Sequence, residues 1–141
     1  MSEVIVDTGP LVAILVKTDR YHTWSVDRLR ELRPPFLTCE AVLAETAHLV
    51  RKVPQGPDRF IDLLMSDLLQ IDLDIMAERT AIVRLLRRYA DRPMSLADAC
   101  LVRLAEMHDG ASILTVDGDF AVYRKHGRRA IPVIAPAERS S

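Results

Sequence analysis

Apolar residues fall into short continuous runs separated by longer stretches of helical period. Val4-Ile5-Val6 is closed by Asp7-Thr8-Gly9-Pro10, the pattern of a buried parallel strand. Pro10 suits the first turn of a helix, with Leu11 to Lys17 after it. From Thr23 to Arg33 the positions Trp24, Val26, Leu29 and Leu32 recur at helical spacing until Pro34-Pro35 stops them. Phe36-Leu37-Thr38 predicts a second strand, and Glu40 to Lys52 an apolar helix closed by Pro54 and Gly56. The next helix runs from about Pro57 to Leu69, with Phe60, Ile61, Leu64 and Leu68 as its buried stripe. Leu69 to Leu73 alternates as a strand. Asp74 is expected to cap a helix reaching Tyr89, and Ser95 to open another that ends near Asp109-Gly110. Ser112–Val116 and Ile131–Ile134 predict strands on either side of a turn or short helix over Asp117 to Tyr123. Strands alternating with helices imply right-handed crossovers, hence a three-layer α/β/α sandwich with a central parallel sheet. Residues 1–136 are expected to form one domain and residues 137–141 a short flexible tail.

Composition changes this picture little. The 141 residues are 49% hydrophobic and 28% charged, which suits a soluble globular domain. The net charge of −1 gives no global field for nucleic acid, so any such binding needs a local patch. Cys39 and Cys100 lie far apart with no C-x-x-C pair, and read as buried thiols of a reducing compartment. No basic segment precedes an apolar stretch at the N-terminus, and no apolar run is long enough to span a bilayer, so a cytoplasmic protein is expected.

The chemistry begins at Asp7. Asp-Thr-Gly is also the catalytic signature of aspartic proteases, but those are almost entirely β, whereas here the motif leads into a helix. Parallel sheets place ligands beyond the carboxyl ends of their strands. Asp7 ends the first strand there, and Asp117 ends the strand Ile113 to Val116. Ser95-Leu96-Ala97-Asp98 has the spacing of a capping box, which puts Asp98 at the same rim. Glu45, one to two turns into its helix, reaches back toward the rim because helical side chains tilt toward the N-terminus. Asp7, Asp98 and Asp117 each have a plain use as caps. Glu45, read as projecting from an apolar face, has none. Together the four acids would repel one another and take up protons unless a cation held them. Oxygen-only ligands without a Cys or His cluster indicate Mg²⁺ or Mn²⁺.

These segments, VIVDTGPLVAI, LTCEAVLAETAHLVR, RYADRPMSLADACLV and ILTVDGDF, resemble the PIN-domain nucleases over nearly the whole chain, most closely the VapC-type toxins of bacterial toxin–antitoxin pairs. The resemblance implies a Mg²⁺-dependent endoribonuclease, a homodimer, neutralised by a cognate VapB-type antitoxin. Asp7, Glu45, Asp98 and Asp117 match the family's catalytic and metal-holding quartet. Thr8 and Thr115 match hydroxyl positions beside the site, and Asp119 an acid of variable role. The expected reaction is hydrolysis of an RNA phosphodiester by in-line attack of metal-activated water. Arg124, Lys125, Arg128 and Arg129, with His126, form a basic cluster that would grip RNA phosphates if it adjoins the acids, and is otherwise a solvated turn. Arg84, Arg87, Arg88 and Arg92 read as a plain solvent face. Two other readings compete: a Mg²⁺-dependent phosphatase or phospho-acceptor, and a catalytically inactive PIN-like RNA-binding scaffold. The first wants a second acid directly after Asp7 and a strand-end lysine; Thr8 follows Asp7, and none of Lys17, Lys52 and Lys125 is expected to end a strand. The second leaves the quartet without a use.

Overall fold

Val4–Val6 (β1) is buried at all three positions, as a strand with neighbours on both sides and both faces must be. It pairs in parallel with Phe36–Thr38 (β2), Ile5 facing Leu37, and with Ser112–Leu114 (β4), Ile5 facing Ile113. Leu69–Ile71 (β3) and Val133–Ile134 (β7) extend the sheet to five parallel strands in the order β3-β2-β1-β4-β7. The computed structural model describes residues 2–137; residues 138–141, most of the expected tail, lie outside them.

Helices α1 (Thr8–Leu15), α2 (His22–Glu31), α3 (Glu40–Val50) and α4 (Gly56–Met65) connect β1 to β2 and β2 to β3. Helices α5 (Arg79–Arg88) and α6 (Leu96–Met107) connect β3 to β4. Right-handed crossovers put the first group on one face and the second on the other. The expected α/β sandwich is therefore present. Its core is mainly aliphatic, with Ile5, Leu11, Leu37, Leu101, Leu104, Ile113 and Leu114 fully buried alongside Phe36 and Phe120. Chain order runs outward from β1 through β2 to β3, then resumes on the other side at β4. The gap between the carboxyl ends of β1 and β4 is thus the topological switch point.

Several elements differ from the sequence reading. α5 starts at Arg79 rather than near Asp74, because the Asp74 carboxylate closes a turn by accepting from the backbone of Met76 and Ala77 (3.0 and 3.2 Å). The stripe expected to be buried on α4 is half open: Ile61 is 54% and Leu64 50% exposed, whereas Phe60 and Leu68 are partly buried against the core and Leu63, outside the expected stripe, is buried. The basic segment after Tyr123 forms an antiparallel hairpin, β5 (Arg124–Lys125) with β6 (Arg129–Ala130), so Lys125 does end a strand, contrary to expectation, although one outside the parallel sheet. His126 and Gly127 turn the hairpin at positive φ (53° and 79°).

Candidate active site

Asp7 ends β1 and caps α1. Its Oδ1 accepts from the Thr8 amide (2.7 Å) and its Oδ2 from the Thr115 hydroxyl (2.8 Å). Thr115 Oγ1 in turn accepts from the Asp117 amide (3.2 Å), so one buried hydroxyl ties the ends of β1 and β4 together. The close approach depends on Gly9, where any Cβ would collide with the Val116 side chain. Asp117 Oδ1 accepts from the Asp119 amide (2.9 Å), closing the turn that leads into the 3₁₀ segment Asp119–Ala121. Asp98 forms the expected capping box with Ser95: the Asp98 amide donates to Ser95 Oγ (3.0 Å), and Asp98 Oδ2 accepts from the Ser95 amide (3.3 Å). On α3, Glu45 Oε1 accepts from the Thr8 hydroxyl (2.8 Å).

All four acids of the quartet line one cleft of about 410 Å³ at the switch point, with Asp119 beside them. Burial is uneven, which corrects the expectation that Glu45 projects from an apolar face. Asp7 is buried and Asp98 half-buried, while Asp117 and Glu45 are exposed. His48 and Leu49 beside Glu45 on α3 are also exposed, so Glu45 projects into an open cleft rather than from a packed face.

Electrostatics follow the geometry. Burial pushes the Asp7 carboxyl up to about 7, despite the hydrogen bonds from Thr115 and Thr8 that oppose it, and the charges of Asp117 and Asp98 add to the rise. Asp98 and Asp117 are pushed up as well, first by desolvation in the cleft and then by neighbouring acids, Asp117 and Asp119 acting on Asp98, and Asp119 and Glu45 on Asp117. Among the described residues six carboxylates line the cleft and no Lys or Arg does. Among the described residues no three acidic, His or Cys side chains are already close enough to ligate a metal together. Mutual repulsion of uncompensated carboxylates opposes that approach. The donor set is entirely oxygen and strongly anionic, which fits a hard divalent cation.

Two contributors escaped the sequence reading. Asp19 lines the cleft from the turn before α2, its Oδ1 accepting from the Tyr21 amide (2.8 Å). Tyr123 is buried, and its hydroxyl donates to Asp98 Oδ2 (3.1 Å). Its ring sits edge-on to Tyr89 (5.0 Å) and Phe120 (5.5 Å), so three of the chain's seven aromatic side chains wedge behind Asp98. Burial and the adjacent Asp98 charge push the Tyr123 hydroxyl up, which keeps it a donor. Scarce aromatics packed after an acid-rich turn are the only trace this leaves in the sequence.

The basic cluster does not adjoin the acids. None of Arg124, Lys125, Arg128 or Arg129 lines the cleft. Lys125 is buried with its Nζ 4.0 Å from Asp109, and Arg124 donates to the carbonyls of Ala121 and Tyr123 (2.8 and 3.1 Å). The hairpin packs back on α6, where the His126 amide donates to Glu106 (2.7 Å), and this draws the cluster away from the switch point.

A parallel α/β sandwich with an acid-lined cleft at its switch point defines the structural class. Within it, the chain belongs to the PIN-domain family, whose model matches residues 4–126. Among solved structures it is similar to VapC20 of Mycobacterium tuberculosis, a toxin that cleaves the sarcin–ricin loop, with a TM-score of 0.72 and 23% identity. The match covers 90% of this chain and 99% of that one, and at this identity the likeness is one of fold. No curated protein matches the chain.

Proposed function

We infer that the protein is a divalent-metal-dependent endoribonuclease, the toxin of a VapBC-type pair, working as one nuclease domain over residues 1–136. The observation that carries this reading is a cleft at the switch point that, among the described residues, is lined by six carboxylates and no cationic side chain. Family membership and the fold shared with a toxin that cleaves the sarcin–ricin loop support the substrate class. Asp7, Asp98 and Asp117, with Glu45, would hold Mg²⁺ or Mn²⁺. When bound, such a cation would neutralise the cleft and supply Lewis-acid chemistry, making a water more acidic and stabilising charge on a phosphoryl group. The chain's own side chains set the geometry. Thr115 fixes Asp7 Oδ2, Thr8 fixes Glu45, and Ser95 with Tyr123 fix Asp98 Oδ2. Asp119 adds negative charge at the rim. A cognate VapB-type antitoxin and a homodimer are the partners this reading implies, in the cytoplasm. Among the described residues no helix is long and apolar enough to cross a membrane.

The test is cleavage of a mixed pool of structured RNAs by antitoxin-free protein in Mg²⁺ or Mn²⁺, with EDTA and Asp98→Asn controls. Cleavage lost in both controls is the expected result. A folded protein that binds metal but leaves every RNA intact would shift the reading toward another phosphoester.

A further inference from the structure

A cleft lined by six carboxylates repels a polyanion, so affinity for a nucleic-acid strand has to come from cations placed elsewhere. Lys125 is already engaged with Asp109, and Arg124 with the carbonyls of Ala121 and Tyr123. Arg84 and Arg88 are not. They lie one turn apart on α5, both exposed, and neither makes an ion pair among the described residues. The Arg88 guanidinium lies 5.5 Å from the centroid of the Tyr89 ring and close against Gly127 at the hairpin tip.

With Arg103, Glu106 and His126 these two arginines line a pocket of about 470 Å³ between α5 and the hairpin. Its one carboxylate is spoken for: Glu106 accepts from Arg103 through Oε1 (3.0 Å) and from the His126 amide through Oε2 (2.7 Å). Arg103 is held between Glu106 and Glu78 (2.8 Å). Two uncompensated guanidinium groups remain, and Arg87 lies one turn from Arg84 on the adjoining face of α5, whereas Arg79 donates to the Met76 carbonyl (2.7 Å). Guanidinium forks match phosphate oxygens in a bidentate manner. Glu106 and Asp98 are eight residues apart on α6, about 12 Å along its axis. A strand occupying the cleft therefore reaches the pocket within a few nucleotides.

We propose that the pocket between α5 and the hairpin, centred on Arg84 and Arg88, seats the phosphate backbone of the RNA strand whose scissile phosphate enters the acidic cleft. RNA as the strand rests on the ribonuclease reading above. An acidic peptide fits less well, because the pocket offers only Ala81, Leu85 and Gly127 as apolar lining, without the aromatic or aliphatic anchors that hold a peptide.

The test compares two pairs of equal charge: Arg84→Gln/Arg88→Gln, and Arg30→Gln/Arg33→Gln, both exposed, in and just past the last turn of α2. Binding of a short labelled mixed-sequence RNA is titrated against salt, each pair carried in the Asp98→Asn protein so that the RNA stays whole, with folding checked by circular dichroism. The α5 pair is expected to weaken binding several-fold and to flatten the dependence of log K on log salt by about 1.4, two contacts at about 0.7 each for single strands. The α2 pair is expected to leave both near their starting values. Equal behaviour of the two pairs overturns the proposal. So does loss of binding to labelled polyglutamate with RNA binding intact, which assigns the pocket to an acidic protein. Wild-type cleavage of the RNA pool is scored separately. A differential salt slope without any cleavage leaves the seat standing and removes the nuclease reading, and cleavage without a differential slope does the reverse.

Discussion

Asp98 has two employments that a single substitution separates. As the N3 residue of α6 it accepts from the Ser95 amide, and as a cleft acid it bears a charge that desolvation makes costly. Asn at this position keeps an acceptor and removes the charge. Asp98→Asn is therefore expected to lower RNA cleavage by at least about 100-fold, a loss typical of removing a metal-holding or charge-stabilising group. The same variant, free of metal, should melt no lower than the wild type; a marked drop in melting temperature would mean that Asp98 is chiefly structural. Tyr123→Phe keeps the edge-on contacts with Tyr89 and Phe120 and deletes only the hydroxyl that orients Asp98 Oδ2. We expect about tenfold slower cleavage, in keeping with one lost hydrogen bond to a charged group, and a higher metal concentration for half-activation. Unchanged metal dependence would remove Tyr123 from the positioning of Asp98.

At the scale of elements, the site depends on how closely α1 meets the end of β4. Gly9→Ala should destabilise the protein by about 1–3 kcal/mol, because its methyl group collides with Val116. Adding Val116→Ala should recover much of the loss, which thermal melts of the single and double variants will read. The sequence carried most of this level. Continuous apolar runs marked β1 and β2, the Ser95-x-x-Asp98 spacing marked the start of α6, and the strand-end acids identified the rim. Periodicity fixes a residue's face on its own helix but not whether a neighbour covers that face. For that reason the sequence sets Glu45 on an apolar face and Ile61 and Leu64 in a buried stripe, although all three are open. Asp74 looked like a cap and instead closes a turn. The hairpin escaped because its turn is His126-Gly127 within a basic run, and the run's charge suggested phosphate contacts when its packing on α6 was the governing fact.

For the whole molecule, an acidic cleft makes stability depend on pH with a definite sign. Asp7 titrates near the ordinary carboxylate value of 3.8 when unfolded and at about 7 when folded, so the folded state binds the extra proton between those limits. The associated stability is present at low pH and is lost as pH rises through about 7. Metal-free protein should therefore melt several degrees higher at pH 5.5 than at pH 8. Asp7→Asn should flatten this difference, and a saturating divalent cation should raise the melting point most at the higher pH. A melting point that climbs with pH in the metal-free protein would contradict the electrostatics of the cleft.

The most direct measurement is calorimetric titration of the metal-free protein with Mn²⁺ near pH 6.5, in two buffers of different ionisation enthalpy. Saturable binding is expected, with proton release as Asp7 gives up its proton, weakened at least about tenfold in both Asp7→Asn and Asp98→Asn. Absence of binding, or equal binding by the wild type and both variants, would contradict the assignment of these carboxylates as a metal centre.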